Sequence, residues 1–366
     1  MKCWLCRNDS FSTIYMIQDI PVFQNKVYKT RSEALNVKTG DVRLVMCLNC
    51  GFIFNADFDV KVMNYDVSYQ NEQAHSLYFR TYLKELMELF TEKDFHKLKI
   101  IEIGCGKGYF LEMLRKNGFD VNGFDPSYEG SNPYIVKDYY SEKHSNYKAD
   151  LIVLRHTLEH IEDPFTFLHR IAKATSSRAK IFIEVPSFEW IFEKRAFWDI
   201  FYEHCNYFTL ESMAGLFEKS QQGLLFNNQY MYLVADLNSL REQVVPINTV
   251  RFNFEAFKMI NLLKFYKEFV QSHPGLLVWG AGAKGATFVN LVDPKREYIS
   301  YLVDINPEKQ ERYVAKTGHS IISPKHIYDI KGKKIYILIM NDNYYKEIQN
   351  EINETRFKLS TLGAIQ

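Results

Sequence analysis

From about residue 96 onwards, the hydrophobic pattern alternates between two kinds of segment. Short apolar runs at residues 98–103, 149–154 and 180–186 predict strands that are buried on both faces. Other stretches, including residues 77–90 ahead of these runs, carry apolar residues at helical spacing. Because strands and helices alternate, the pattern predicts an α/β fold built on a doubly wound sheet.

The same pattern divides the 366 residues into three predicted domains. Residues 1–60 form a small unit that contains two cysteine motifs. Residues 61–248 hold the first strand–helix series, and residues 249–366 hold a second, smaller α/β series. The third domain is predicted to begin with a helix over residues 250–272. Its strands are predicted over residues 276–279, 301–304 and 334–339.

A glycine loop follows the first strand of the second domain. Gly104, Gly106 and Gly108 lie between the apolar run and a helical pattern. Asp125 ends the next strand about 20 residues further on, where an acid can accept both hydroxyls of a ribose. Glu102 precedes the glycines and suits a ligand with a cationic amino-acid end. The alternative is a glycine turn that binds nothing.

This combination resembles motif I of the class I S-adenosylmethionine-dependent methyltransferases. The resemblance implies that S-adenosylmethionine binds at the carboxyl edge of the central sheet. The residues assigned to the cofactor are Glu102, Gly104, Gly106, Gly108, Tyr109, Phe110, Asp125, Pro126, Arg155 and His156.

Composition and charge exclude some classes of protein. The formal net charge is +1, which gives no strong field for nucleic acid or an anionic membrane. No apolar run of about 18 residues is present, and the first residues do not open a signal peptide. We therefore expect a cytoplasmic protein that binds neither nucleic acid nor a membrane. The sequence does not determine the oligomeric state.

Four of the six cysteines form two CxxC pairs. Cys3 and Cys6 make the first pair, and Cys47 and Cys50 make the second. Four thiolates at this spacing suit a closed tetrahedral Zn²⁺ site with no open position, so the metal is expected to be structural. The alternatives are four reduced core cysteines or a redox dithiol.

A histidine beside a carboxylate follows the strand at residues 180–186. Tyr202, Glu203 and His204 are adjacent there, and the pKa of histidine makes His204 a candidate general base. A structural or surface Glu–His pair is the alternative. Tyr69 lies ahead of the cofactor loop and could donate a hydrogen bond to substrate, or could simply be a packing residue.

A second glycine loop opens the third domain. Gly280, Gly282 and Gly285 follow an apolar run and precede a helix, and Asp304 ends the next strand. This loop could hold a nucleotide phosphate or be a tight turn that holds nothing; the spacing does not separate the two. It also leaves open an NAD-dependent activity for this domain.

Taken together, the motifs resemble the sugar C-methyltransferases of deoxysugar biosynthesis. The resemblance covers nearly the whole chain. The motifs that carry it are the two CxxC pairs and residues 21–25, 102–108, 158–161, 202–204, 280–285 and 304–310.

The resemblance implies a structural zinc, S-adenosylmethionine on the central sheet and a nucleotide-linked keto sugar in a cleft between domains. His204 would remove the proton next to the ketone, and the enolate carbon would then attack the sulfonium methyl. Tyr202, Glu203 and His160 would orient the base and polarise the carbonyl, with Tyr69 as a further catalytic candidate. The substrate-binding residues would be Gly282, Lys284, Asp304, Asn306, Lys309 and Asn341.

One segment departs from this family. Many members have a strand containing Gly-Gly-Ser where this chain reads Phe-Asn-Asn-Gln-Tyr-Met at residues 226–231. Because that strand lines the substrate side, the acceptor is open between a sugar carbon, a sugar hydroxyl and a non-sugar. O- or N-methyl transfer on the same scaffold is therefore the alternative activity. A zinc-knuckle nucleic-acid binder is disfavoured by the near-zero net charge.

Overall fold

The computed structural model of the protein describes residues 1–66, 68–70, 72–144, 146–175, 178–244, 252, 259–352 and 354–365.

The N-terminal elements are β1 (Phe11–Pro21), β2 (Val27–Tyr28), α1 (Arg31–Leu35), β3 (Thr39–Cys47) and β4 (Ile53–Asn55). Of these, β1, β3 and β4 form a small antiparallel sheet. β3 pairs with both β1 and β4. Thr30 and Glu33 form a capping box that begins α1, since each side chain accepts the other residue's backbone N–H.

The central part of the chain forms a seven-stranded sheet flanked by helices. Its first elements are α2 (Leu77–Glu92), β5 (Lys99–Ile103), α3 (Tyr109–Lys116), β6 (Asp120–Phe124), β7 (Ile135–Val136), β8 (Leu151–Arg155), α4 (Pro164–Ala174) and β9 (Lys180–Pro186). They are followed by α5 (Phe188–Glu193), β10 (Asn206–Tyr207), α6 (Leu210–Ala214), β11 (Gln221–Leu225) and β12 (Tyr230–Asp236).

The strand order in this sheet is β11-β12-β9-β8-β5-β6-β7. Strands β5 to β9 pair in parallel, and β12 and β11 add an antiparallel edge beside β9. Apolar residues at 100–103 and 151–154 are buried on both faces, as the continuous hydrophobic runs predict. The order doubles back from β5, so the predicted doubly wound α/β fold of a class I methyltransferase is confirmed.

The C-terminal part forms a second parallel sheet. Its elements are α7 (Met259–Ser272), β13 (Leu276–Trp279), α8 (Ala283–Val292), β14 (Ile299–Val303), β15 (Tyr313–Val314), β16 (Ile321–Ile322), β17 (Ile335–Ile339), α9 (Tyr345–Glu351) and β18 (Phe357–Thr361). The strand order is β16-β14-β13-β17-β18, and each pairing is parallel. This agrees with the second, smaller α/β domain predicted for this part of the chain.

Two sequence expectations differ from the structure. The helix predicted over residues 250–272 is observed from Met259, and Phe252 is not helical; the remaining residues of 250–258 lie outside the described residues. The strand predicted at residues 226–231 begins only at Tyr230. Residues 226–229 are instead the turn between β11 and β12. Phe226, Asn227 and Asn228 have φ values of 51°, 54° and 66°, which extended backbone does not allow.

The three parts of the chain are joined by shared pairing and a shared core. β2 pairs with β15 of the C-terminal part, and β4 pairs with β10. Phe23, Trp198 and Phe288 belong to one buried hydrophobic cluster that crosses all three parts. The predicted limits at residues 60/61 and 248/249 stay predictions, and the second lies outside the described residues. In the described part of the chain, no helix is long and apolar enough to cross a membrane.

Candidate functional site

The four CxxC cysteines come together at one end of the N-terminal sheet. The Cys3 and Cys50 sulfurs are 3.7 Å apart, and the Cys6 and Cys47 sulfurs are 3.5 Å apart. All four sulfurs lie within 4.8 Å of one another, and Cys3, Cys47 and Cys50 have no exposed surface. Four zinc–sulfur bonds of about 2.3 Å in a tetrahedron require sulfur–sulfur distances of ~3.8 Å. The four thiols therefore fit a tetrahedral zinc ion.

The first glycine loop turns the chain from β5 into α3. Gly104, Gly106 and Gly108 have φ values of 75°, 55° and 83°, in the region that favours glycine. A Cβ on Gly104 would lie 2.3 Å from the Thr157 hydroxyl, whereas a Cβ on Gly106 would meet nothing within 4 Å. The Gly106 N–H donates to Asp125 Oδ2 at 2.8 Å. The loop therefore leaves open space at Gly106, next to the acid that ends β6.

A buried group of charges lies below this loop. Arg155 Nε donates to Glu184 Oε2 at 2.8 Å, and the Arg155 guanidinium is 4.0 Å from Glu102 and 4.3 Å from the Phe110 ring centre. Glu184 Oε1 accepts the Tyr82 hydroxyl at 2.6 Å. Glu184 has no exposed surface, and its Arg155 partner helps to hold the pKa of Glu184 low despite burial.

Glu102 and His156 have shifted pKa values in this surrounding. Burial raises the pKa of Glu102 to about 7, although Arg155 opposes the shift, and Glu102 Oε2 accepts no hydrogen bond from the described residues. Burial lowers the pKa of His156, but Glu159 and Glu184 raise it more, to about 9. His156 Nε2 is 2.9 Å from Glu184 and Nδ1 is 3.4 Å from Glu159. At neutral pH, His156 is therefore a cation held between two carboxylates.

His204 lies between α5 and β10, where it faces His160 in the segment after β8. Their ring centres are 4.7 Å apart at an interplanar angle of 81°. His160 Nδ1 is 2.8 Å from the Glu203 carbonyl oxygen, so Nδ1 carries the proton and donates it. Burial lowers the pKa of His204 well below its ordinary value, and the nearby His160 and His156 add to the effect. His204 is therefore a neutral imidazole at neutral pH.

The other two members of the Tyr-Glu-His segment point elsewhere. The Tyr202 hydroxyl accepts the Asp59 N–H at 2.8 Å, and its ring packs beside Gly40, outside the cavity lining. The structure therefore does not support a direct catalytic role for Tyr202, because its side chain does not reach the cavity. Glu203 has no exposed surface, and its carboxylate accepts the Tyr69 hydroxyl at 2.6 Å. The Glu203 carboxylate can therefore act on a substrate only through Tyr69.

The second glycine loop turns the chain from β13 into α8. Asp304 Oδ2 accepts the Ala281 N–H at 2.8 Å, and Lys309 Nζ is 3.8 Å from the same oxygen. Lys284, at the start of α8, donates to Asp199 of the central part. Burial lowers the pKa of Lys284, although Asp199 opposes the shift.

One cavity of about 370 Å³ connects these groups. Predicted residues on its wall are Tyr69, Glu102, Gly104, Gly106, Tyr109, Phe110, Arg155, His156, His160, His204, Gly282, Lys284, Asp304, Asn306, Lys309 and Asn341. Asp125 and Pro126 line an adjoining groove, which shares Gly104, Gly106, His156 and His160 with the cavity. Gly108 lines neither, because the side that a Cβ would occupy faces Ile135.

Comparison with known proteins agrees with this arrangement. Residues 71–221 match the family described as "Methyltransferase domain", and residues 251–361 match "C-methyltransferase C-terminal domain". The chain therefore contains a methyltransferase domain and a C-methyltransferase C-terminal domain. The first match contains the loop at Gly104 and the His204 segment, and the second contains the loop at Gly280.

The chain is also similar to individual proteins. It is 27% identical over 133 residues to the C-methyltransferase NovU of Streptomyces niveus, an alignment that covers 32% of this chain and 31% of NovU. The chain therefore spans about a third of that curated relative.

Among solved structures, the plantazolicin methyltransferase BpumL with SAH has a TM-score of 0.34 at 16% identity, covering 44% of this chain and 85% of BpumL. A methyltransferase from Clostridium acetobutylicum has a TM-score of 0.32 at 13% identity, covering 43% of this chain and 90% of the Clostridium protein.

The sequence did not single out three residues that lie on the cavity wall or contact it. Glu184 lies within an apolar strand, and an acid in such a run is a signal that could have been used. Asp199 gave no signal, because its partner Lys284 is 85 residues away in the chain. Asn25 was noticed only as part of a motif, yet it lines the cavity near Gly282.

Proposed function

We propose that the methyltransferase transfers a methyl group from S-adenosylmethionine to the carbon next to the ketone of a nucleotide-linked keto-deoxysugar. The observation that carries this proposal is the shared cavity, whose wall includes Gly106, His204 and Gly282. A donor loop, a neutral base and a second glycine loop thus line one space. The match to a C-methyltransferase C-terminal domain supports carbon as the acceptor atom, and the sequence resemblance supports the sugar.

In this proposal His204 accepts the proton from the carbon next to the ketone. The electron pair of the broken C–H bond moves into the enolate, and the proton stays on the imidazole. A neutral imidazole is required for this step, and burial of His204 provides it. S-adenosylmethionine, when bound, supplies an electrophilic methyl group, and its sulfur leaves as a neutral thioether once the enolate carbon has taken that group.

Two side chains are proposed to accept hydrogen bonds from hydroxyl groups of the sugar. The Tyr69 hydroxyl lies on the cavity wall and donates its proton to Glu203, so its oxygen can accept a hydrogen bond from substrate. His160 donates from Nδ1 to the Glu203 carbonyl, so its Nε2 can accept a proton or a hydrogen bond. Both contacts run through Glu203, so Glu203 is a positioning residue for the whole group.

The donor is proposed to bind along the first glycine loop. Asp125, held by Gly106, would accept the ribose hydroxyls, and Glu102 would pair with the cationic amino-acid end. The unpartnered Glu102 oxygen, which is buried in the cavity wall, supports this assignment. Tyr109 and Phe110 would pack against the donor.

The cysteine cluster is proposed to hold one structural zinc. The sulfur–sulfur distances of 3.5 and 3.7 Å support a tetrahedral ion. All four ligands are protein thiolates, which leaves no position for water or substrate, so the zinc would stabilise the N-terminal sheet and take no part in transfer.

The test uses donor labelled with ¹³C at the methyl group and a nucleoside-diphosphate-linked 4-keto-6-deoxyhexose as acceptor. The proposal expects NMR correlations that join the labelled methyl to a ring carbon. A methyl attached through oxygen or nitrogen would overturn carbon transfer and favour the O- or N-methyl alternative. In deuterated water, the wild-type protein should also exchange the proton next to the ketone, and His204→Gln should not.

A further inference from the structure

A buried carboxylate that accepts no hydrogen bond lies beside the two histidines of the cavity. Glu159 is 1% exposed and lines the cavity, yet neither of its carboxylate oxygens accepts a hydrogen bond from the described residues. Its ion pair with His156 is long, since Nδ1 is 3.4 Å from Oε1. A buried acceptor without a donor is uncommon in a folded protein, so a ligand of the cavity is expected to satisfy it.

The charge of Glu159 is only partly balanced by His156. His156 Nε2 is 2.9 Å from Glu184, which is closer than its Nδ1 is to Glu159. The two acids therefore share one imidazolium, and Glu159 has the longer contact. Because a buried charge is costly unless it is paired, Glu159 favours a ligand that carries positive charge.

His160 is oriented by contacts to one of its ring nitrogens. Its Nδ1 is 2.8 Å from the Glu203 carbonyl oxygen and 3.2 Å from the Tyr65 hydroxyl. Histidines that bind metals commonly donate their second ring nitrogen to a carbonyl or carboxylate, because this contact fixes the tautomer and the orientation of the ring. The lone pair on Nε2 of His160 is therefore available to a metal ion.

Glu159, His160 and His204 bring one ligand atom each to the same place. These three atoms lie within 4.8 Å of one another, and all three residues line the cavity. The contacts of His204 in the described part of the chain are ring contacts, including Phe201 at 4.2 Å and His160 at 4.7 Å between centres. Two ligand atoms about 2.1 Å from a tetrahedral ion are ~3.4 Å apart, so the side chains approach by about 1 Å when an ion binds.

Two imidazoles and one carboxylate select the class of cation. Imidazole suits transition metals such as Zn²⁺, Co²⁺ and Ni²⁺, whereas Mg²⁺ and Ca²⁺ prefer oxygen ligands. Three protein ligands leave at least one position for water or substrate, unlike the four thiolates of the cysteine cluster. The two sites therefore differ in both ligand chemistry and access.

We propose that Glu159, His160 and His204 bind one divalent transition-metal ion in the cavity, and that the bound ion inhibits methyl transfer. The inhibition rests on the proposed function, because a His204 nitrogen that is coordinated to a metal cannot accept the proton of the substrate. The binding rests only on the three side chains.

The test of binding is a titration of the full-length protein with CoCl₂. The protein is first given one equivalent of zinc, which the four thiolates take up. One Co²⁺ per chain should then bind and give visible ligand-field absorption without the intense near-ultraviolet band of cobalt thiolates. Absence of a Co²⁺ complex, or a complex with the thiolate band, would overturn the proposal.

Variants assign the ion to this cluster. Loss of a residue that merely orients a metal ligand costs about 10–100-fold in affinity, so Glu159→Gln should weaken Co²⁺ at least about tenfold. Glu162→Gln is the matched control, since it changes a nearby acid outside the cluster and should leave the Co²⁺ affinity unchanged. His160→Gln removes a second ligand and replaces Glu159→Gln if that variant fails to fold. Equal affinity in wild-type protein and both cluster variants would contradict the site.

Inhibition is measured as the ratio of transfer rates with and without Co²⁺, for each protein separately. At a Co²⁺ concentration about ten times the wild-type Kd, the wild-type rate should fall about tenfold and the Glu159→Gln rate at most about twofold, by mass action. MgCl₂ at the same concentration should change neither rate. A wild-type rate that stays level with Co²⁺ bound would overturn the inhibitory role.

These measurements keep the two proposals apart. If Co²⁺ binds with the expected dependence on Glu159 but no methyl transfer to the keto sugar occurs, the proposed function fails and the metal site stands. If transfer occurs and Co²⁺ neither binds at the cluster nor inhibits, the metal site fails and the proposed function stands.

Discussion

Tyr69 donates a 2.6 Å hydrogen bond to the carboxylate of Glu203, a side chain with no exposed surface. The other carboxylate oxygen accepts the backbone N–H of Gln24 at 3.0 Å. The two residues are 134 positions apart, so this bond ties the segment ahead of α2 to the segment between α5 and β10. It fixes a phenol on the cavity wall opposite the two histidines.

Replacing Tyr69 by phenylalanine should therefore destabilise the protein. A hydrogen bond to a buried carboxylate contributes about 1.5–3 kcal/mol, and Tyr69→Phe should lower the free energy of unfolding by that amount. Urea unfolding measures it. Tyr139→Phe is the control, because Tyr139 is 74% exposed. Equal unfolding curves for the two variants would show that Glu203 is satisfied without Tyr69.

His204→Gln should separate chemistry from donor binding. A positioned general base contributes about 10²–10⁴-fold, so kcat should fall by that factor while the affinity for S-adenosylhomocysteine stays the same. His326→Gln, an exposed histidine in the C-terminal part, is the control. Because burial lowers the pKa of His204 well below 6.5, kcat of the wild-type protein at saturating donor should stay level above pH 6.5 and fall only at lower pH. A variant that keeps wild-type kcat would move the base to His160.

The cation at His156 should make stability depend on pH. The folded-state pKa of about 9 lies above the ordinary value of 6.5, so the contribution is fully present below pH 6.5 and is lost as pH rises through 9. The shift corresponds to about 3 kcal/mol. Thermal unfolding from pH 6 to 10 should show this fall in the wild-type protein and a smaller one in His156→Gln. If the wild-type protein and His156→Gln lost stability equally between pH 6 and pH 10, then the imidazolium would not stabilise the buried carboxylates of Glu184 and Glu159.

The first glycine loop and Asp125 were predictable because their pattern is local. A strand, a glycine spacing and an acid all occur within residues 98–125, and local backbone preference fixes their arrangement. The second loop was predictable as a turn for the same reason. The hydrogen bond from the Ala281 N–H to Asp304 was not, because the two residues are 23 positions apart in the chain.

The direction of side chains could not be predicted in the same way. Tyr202, Glu203 and His204 are consecutive, but they point to Asp59, Tyr69 and the cavity respectively. A sequence motif groups the three, whereas the folded chain sends each to a different partner. The turn at residues 226–229 was also not predicted. Phe226, Asn227 and Asn228 all have left-handed backbone, and three such residues in succession are not expected from Phe and Asn.

Metal content tests the cysteine cluster. The purified protein should contain about one zinc per chain, and Cys50→Ser should lose it together with much of its stability. Cys105→Ser is the control, because Cys105 lies in the first glycine loop and should leave the zinc content unchanged. A wild-type protein that is well folded after removal of all metal would contradict a structural zinc.

The buried Glu102 carboxylate should lower the stability of the free protein and strengthen donor binding. Burial raises its folded-state pKa to about 7 from an ordinary 4.5, so ionisation destabilises the free protein progressively as pH rises from 4.5 through 7. The full penalty is about 3 kcal/mol above pH 8. Glu102→Gln removes it, and the variant should be more stable than the wild-type protein at pH 8 and equally stable near pH 4.5.

Donor binding should instead favour the ionised form of Glu102. An ionised Glu102 can pair with the ammonium group of S-adenosylmethionine, so wild-type affinity should increase between pH 6 and pH 8 as the carboxyl loses its proton. Glu102→Gln should bind more weakly at pH 8 and lose this dependence. Calorimetry at both pH values, alongside Glu112→Gln on the surface of α3, measures the difference. If Glu102→Gln binds the donor as tightly as the wild-type protein at pH 8, then the cationic end of the donor lies elsewhere in the cavity.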